Sequence, residues 1–355
     1  MAYTTIDNPE KFFQCFLYTG GDGNTEHDFG GADAMQPDLV WIKNRTQSDN
    51  FALIDSVRGS RFWLGCNVQD QEDYNNEAYL FNFRSDGFTT SNTDVVGKNT
   101  ETYVSWNWKA GTSFTNDASS TSVGSIDSEG SINTTSGFSI IKYTGTGAAA
   151  TVAHGLGATP GWFVVKSRSA DGRGWQVFHN KVANTRKLAL DDHAAQSGTG
   201  TAYWNDTSPN NTVFSLGSGG DGTANTVTFI SYCWTPIKGF SKFGEYEGNG
   251  SSNGPFIYTG FKPAYVIVKS STHAVNWKSF DNKRDKYNKS SSTTFNLNEN
   301  GAEDDNSAYK FHLYSNGFKL RNSNANLNSN GYTYTYLAWA EAPFVNSNGV
   351  PTNAR

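Results

Sequence analysis

Two aspartates recur in one local pattern: Asp55 stands three residues before Arg58, and Asp281 three before Arg284. A pair of carboxyls can divide acid and base work at a glycosidic bond, provided both face one cleft about 5 to 9.5 Å apart. These two lie in different parts of the chain, and the corresponding place between them is taken by His179. A position that reads Asp, His, Asp, with arginine following twice, fits a turn or a surface salt bridge better than a catalytic pair. The acidic runs Glu303-Asp304-Asp305 and Asp191-Asp192 could offer oxygen ligands to Ca²⁺, but neither has EF-hand spacing, and loop acidity accounts for them. His27, His154, His179, His193, His273 and His312 are dispersed, with no HxH or HExxH, and GxSxG and P-loop motifs are missing. Catalytic, cofactor-binding and metal-binding residues are therefore not expected, and no cofactor is implied.

One loop suits ligand contact better. Tyr203, Trp204, Asn205 and Asp206 place two aromatic faces beside two polar side chains, a combination that stacks on sugar rings and hydrogen-bonds their hydroxyls. The competing reading is ordinary loop packing in a Trp-rich protein.

The elements that must position such residues follow from composition. Of 355 residues only 17% are charged, while 14% are aromatic and 36 are glycine. Ser, Thr, Asn and Gly abound, which favours short strands joined by tight turns over helices. With 24 Phe, 17 Tyr and 10 Trp the chain has ample apolar area to bury. A net charge of −5 argues against nucleic acid as the main partner. The first residues lack the pattern of a signal peptide, and no apolar run approaches the roughly 20 residues of a membrane helix, so membrane insertion is not expected. Cys15, Cys66 and Cys233 form no CxxC and read as small buried hydrophobes.

Self-comparison reveals a threefold repeat. Pro37-Asp38-Leu39-Val40-Trp41-Ile42-Lys43 recurs as Pro160 to Lys166 and as Pro263 to Lys269. Upstream of each lies a Tyr-rich segment ending in glycine: Tyr18-Thr19-Gly20, Tyr143-Thr144-Gly145 and Tyr246-Glu247-Gly248. Downstream an aromatic precedes a polar residue by four: Phe51 and Asp55, Trp175 and His179, Trp277 and Asp281. Ser85-Asp86-Gly87-Phe88 matches Ser315-Asn316-Gly317-Phe318, with a looser Ser215-Leu216-Gly217. Each copy closes on one strand, aligned as Thr102 to Trp106, Thr228 to Tyr232 and Thr335 to Trp339. On this alignment both faces of the closing strand are apolar or small, as in a central strand with material packed on each side.

The expected architecture is all-β: three tandem antiparallel β-sandwich, jelly-roll-like domains of about 100 residues each. Residues 1–11 read as an N-terminal arm, 12–110 as the first sandwich, 111–136 as a flexible Ser/Thr/Asn/Gly-rich linker, 137–238 as the second sandwich, 239–345 as the third and 346–355 as a polar tail.

Thr144-Gly145-Thr146-Gly147, Ala153-His154-Gly155-Leu156-Gly157 and the strand after Pro160 resemble a repeat of bacteriophage virion proteins, common in tail-fibre-like and other surface structural proteins of marine phages. Gly239 to Gly244, Gly254 to Phe261 and Ala340-Glu341-Ala342-Pro343-Phe344 add to the resemblance, which is strongest over 130–350 and weaker in the first copy, at Thr25-Glu26-His27-Asp28. The resemblance implies a non-enzymatic virion structural protein on the particle surface, assembled in the host cytoplasm. It carries no site residues. A tail fibre or tail-attached adhesin contributing to host recognition is the leading expectation. A capsid decoration protein, three domains in one chain mimicking a trimer, and a glycan-binding or depolymerising appendage are the alternatives. Expected partners are other tail or capsid proteins and a host surface glycan. Homo-oligomerisation, trimeric in many such appendages, would cover exposed strand edges.

Overall fold

A computed structural model describes residues 3–30, 34–74, 80–219 and 221–353. Residues 1–2 of the expected arm, 354–355 of the tail, and 31–33, 75–79 and 220 within the repeated units lie outside the described residues. The described chain is nearly all β, and its named strand pairs are antiparallel.

Each copy builds one larger sheet in the same order: opening strand, closing strand, the strand after the proline, then the strand that follows it. In the first copy these are Phe13–Thr19, Thr102–Trp108, Leu39–Asn44 and Ala52–Asp55. In the second they are Phe138–Thr144, Thr228–Trp234, Trp162–Ser167 and Gln176–His179. In the third they are Ser241–Glu247, Thr333–Pro343, Phe261–Ser270 and Lys278–Asp281. Placing the closing strand in the middle accounts for its lack of a polar face, since it is covered on both sides.

A smaller sheet lies over each larger one. It contains Thr25–Asp28 and Gly87–Thr90 in the first copy, Ala150–Ala153 and Val213–Leu216 in the second, and Phe256–Tyr258 and Gly317–Leu320 in the third. The repeated turn glycine has a steric reason. A Cβ on Gly87 would collide with the carbonyl oxygen of His27, and one on Gly317 with that of Ile257, both on the neighbouring strand.

Strand register corrects the repeat alignment. Tyr18 pairs with Tyr103, Tyr143 with Phe229 and Tyr246 with Tyr334. All three pairs stack, with ring centroids 5.2, 5.3 and 5.1 Å apart. The third closing strand therefore aligns from Thr333, two residues before the alignment read from sequence. Trp108, Trp234 and Trp339 then become equivalent, pairing with Leu39, Trp162 and Tyr265 on the strands after the prolines.

These three tryptophans, one from each copy, meet at the centre. Their ring centroids lie 5.7, 5.2 and 6.0 Å apart, and their planes cross at 69°, 73° and 68°. Such edge-to-face geometry sets the positive ring edge on a neighbour's negative face. All three are buried, and their indole N–H groups have no hydrogen-bond acceptor among the described residues, so packing alone holds the triad. The largest buried cluster surrounds it and draws on all three copies, including Val104, Trp106, Ile230, Tyr232 and Leu337. The first and second copies keep a further core between their own two sheets. With the largest core shared, the copies are parts of one body rather than three self-contained sandwiches.

The segment 111–136 is folded, not a flexible linker. Strands Thr112–Asn116 and Ser128–Asn133 pair with each other and extend the second copy's larger sheet beyond its opening strand. A polar segment needs no core of its own when an existing sheet edge supplies hydrogen-bond partners. The N-terminal arm is also fastened. Ile6 enters the shared core, Thr4 donates to the Lys238 carbonyl at 2.9 Å, and Asp7 accepts from the Ser347 backbone at 2.7 Å.

Candidate functional site

The Asp–Arg pairs are salt bridges, but buried ones at the junctions between copies rather than on the surface. Arg58 Nε lies 2.5 Å from Asp55 and Arg284 Nε 2.5 Å from Asp281, all four side chains fully buried. Each aspartate reaches the closing strand of another copy. Tyr232 donates its hydroxyl to Asp55 at 2.8 Å, and Trp106 donates its indole N–H to Asp281 at 3.2 Å. The third junction carries His179, whose Nε2 lies 3.3 Å from the Tyr336 carbonyl. By register Trp106, Tyr232 and Leu337 are equivalent, and so by spacing are Arg58, Val182 and Arg284. Where the closing strand offers no donor, the aspartate and the arginine are both gone. Burial, and to a lesser degree the charge on Lys181, hold the His179 imidazole down at about 4, so it stays neutral there.

The junctions run in one direction: copy one onto two, two onto three, three onto one. Other contacts repeat the cycle. Glu303, Glu72 and Gln196 donate their backbone N–H to the carbonyls of Arg45, Arg168 and Ser271 at 2.9, 2.8 and 2.9 Å. Arg45 and Arg168 add two-pronged ion pairs to Glu303 and Glu72. Trp175 donates to Gly65 at 2.8 Å and Trp277 to Ala189 at 2.7 Å. A head-to-tail contact that closes after three steps is a ring of threefold character, here within one chain.

The lysine that ends each repeated strand is buried as well. Among the described residues Lys43, Lys166 and Lys269 have only backbone carbonyls as hydrogen-bond partners, between 2.6 and 3.4 Å. Desolvation lowers their ammonium groups to about 8, 8 and 7. Cys15, Cys66 and Cys233 are free, buried thiols.

The loop singled out for sugar contact divides. Trp204 is fully buried, donates to the Arg186 carbonyl at 2.8 Å and packs against Phe163 and Phe178, so its face is not available to a ligand. Tyr203 is half-buried beneath Lys187, 4.5 Å from its ring. Asn205 and Asp206 are exposed. Among the described residues no group of three His, Cys, Asp or Glu is placed to hold a metal.

Concave surfaces went unseen in the sequence, and two of them adjoin elements that differ between the copies. A groove of about 740 Å³ lies between the added hairpin and the second copy's opening strand. Its polar groups are engaged internally: Asp117 caps a short helix, Asp127 accepts from Ala118, and Glu129 pairs with Lys142 at 2.9 Å. A smaller hollow of about 340 Å³ lies on the third copy, between the arm and its edge strand, lined by Tyr3, Lys238, Lys242 and Tyr258. Lys238 Nζ stands 4.8 Å from the Tyr3 ring and Lys242 Nζ 5.5 Å from the Tyr258 ring. The two tyrosine hydroxyls are 3.0 Å apart. Burial, and secondarily the charge on Lys181, hold the Lys242 ammonium below its usual range.

The fold and these surfaces define an all-β protein built as a threefold repeat around one aromatic core. The chain belongs to DUF7483, a domain family of unknown function, which it matches over residues 8–343. That span takes in all three copies, as a shared core requires. No curated protein and no solved structure matches the chain.

Proposed function

We propose that the protein is a non-enzymatic surface component of a bacteriophage particle, a tail fibre or tail-attached adhesin that presents binding surfaces to the host. The observation that carries this reading is the closed ring of three copies around Trp108, Trp234 and Trp339, together with the repeat motifs that resemble phage virion proteins. One chain supplies the threefold form that phage appendages commonly reach with three subunits, and copies within the ring can diverge to carry different contacts. A binding rather than catalytic role suits the fate of the paired carboxylates, since Asp55 and Asp281 are sealed from solvent in ion pairs.

The same threefold form favours a second reading, a capsid decoration protein seated on a threefold or quasi-threefold position. Averaged density maps of particles that carry the chain separate the two. Density for the ring on the tail supports the adhesin, density on the shell replaces it with the decoration protein, and absence of the chain from purified particles overturns both.

A further inference from the structure

We infer that the hollow between the N-terminal arm and strand Phe256–Tyr258 binds an acidic saccharide, a sugar ring bearing a carboxylate or a sulfate. The inference rests on the adhesin reading and names the ligand class for it. It starts from a break in the internal symmetry. His27, Val152 and Ile257 are equivalent, each pairing with the phenylalanine of the neighbouring strand (Phe88, Phe214 and Phe318). The residues flanking them are Glu26 and Asp28 in copy one, Thr151 and Ala153 in copy two, and Phe256 and Tyr258 in copy three.

The first two copies protect this edge. Glu26 and Asp28 are charged and pair with Arg84 at 2.6 and 3.2 Å. Thr151 and its neighbours are covered by the added segment, through backbone bonds from Ser125 and a bridge from Ile126. In the third copy Phe256 and Tyr258 stand 45% and 48% exposed. Bare aromatics on an edge strand invite aggregation, and the other two copies show that the fold does not require them.

Of the two, Tyr258 lines the hollow, and its surroundings indicate what it meets. Lys238 and Lys242 have no carboxylate partner among the described residues, and Lys242 donates to the Tyr258 backbone carbonyl at 2.7 Å, so the hollow presents two cations without a counter-charge next to two tyrosine rings. The apolar face of a pyranose stacks on such rings, and an anionic substituent finds charge-assisted partners in the ammonium groups. A volume of about 340 Å³ is near the small end for ligand pockets and suits one or two sugar rings. Single-stranded nucleic acid would use the same groups, but a chain of net charge −5 with so few clustered lysines is poorly matched to a polyanion.

Calorimetric titration of the full chain with digalacturonate, a 6-sulfated disaccharide and neutral lactose tests the site. Saturable binding of at least one acidic sugar is expected, with lactose weaker by about tenfold or more, and the sugar that binds distinguishes carboxylate from sulfate. Lys242→Gln and Tyr258→Ala should each weaken it about tenfold, while Tyr287→Ala at another exposed aromatic leaves it unchanged. Melting temperatures of the variants establish that they are folded. No binding of either acidic sugar at about 10 mM, or equal binding by both hollow variants, overturns the inference. Host-cell binding separates the two claims. Equal cell binding by wild type and Tyr258→Ala removes the hollow and leaves the adhesin, whereas a wild-type chain that binds no host cells removes the adhesin itself.

Discussion

The third junction shows how an ion-paired junction could be rebuilt without charge, and that defines a sharp perturbation. Replacing Arg58 by Val removes the guanidinium 2.5 Å from Asp55 and leaves the carboxylate buried with the Tyr232 hydroxyl and two backbone N–H groups. Breaking one side of a buried pair costs about 3–5 kcal/mol. Tyr232→Leu alone removes the hydroxyl that donates to Asp55 and accepts from Arg58 Nη2 at 3.1 Å, about 1.5–3 kcal/mol for each hydrogen bond to a charged group. Asp55→His alone leaves Arg58 with Glu72, 3.2 Å away, as its remaining carboxylate partner and sets an imidazole against the guanidinium, at about 3 kcal/mol, the low end for a broken buried pair. If independent, the three would together remove on the order of 8 kcal/mol or more, enough to unfold many proteins of this size. The triple variant Asp55→His, Arg58→Val, Tyr232→Leu reproduces the His179, Val182 and Leu337 junction. Glu72 loses its contact with Arg58 at 3.2 Å but keeps its two-pronged pair with Arg168. The triple variant should therefore lie within about 2 kcal/mol of wild type and above Arg58→Val alone. Guanidinium denaturation followed by tryptophan fluorescence reads each difference as a shift in midpoint at constant slope. A triple variant destabilised by the full sum would refute the equivalence of the junctions.

Stability should rise between pH 7 and 9. Lys43, Lys166 and Lys269 sit at about 8, 8 and 7 in the folded chain against 10.5 when unfolded, so the unfolded chain binds more protons in this window and rising pH favours folding. Lys269→Met should flatten the slope by on the order of 1 kcal/mol per pH unit, which thermal melts across buffers would detect. Trp204→Ala should cost about 3–5 kcal/mol by emptying a core site while leaving acidic-sugar binding intact; a stable variant with weakened binding would return Trp204 to the ligand surface.

Much of the fold was legible because the repeat carries its own landmarks: the proline-to-lysine strand, the stacked tyrosines and the turn glycines each reappear in place. The closing-strand register was not. Thr333-Tyr334-Thr335-Tyr336 repeats its own dipeptide, and a shift of two residues keeps every side chain on the same face, so face patterns could not expose the slip. The equivalence of Trp108, Trp234 and Trp339 was hidden by that slip, although Trp108 and Trp234 already stand alike in the first two copies. Residues 111–136 read as linker because composition reports apolar area and not the hydrogen bonds an open sheet edge provides. The junction aspartates read as a turn or a surface salt bridge, and their burial depends on a partner copy that spacing within one copy does not reveal. The hollow on the third copy joins residues more than 200 positions apart, and only the path of the N-terminal arm brings Tyr3 to Tyr258.

The central structural claim is that three copies fold as one body around a shared tryptophan core. Differential scanning calorimetry of the intact chain tests it most directly. One body unfolds in a single transition whose calorimetric and van't Hoff enthalpies agree, giving a ratio near about one. Three resolved transitions, or a ratio near about three, would show that the copies unfold independently and would contradict the shared core.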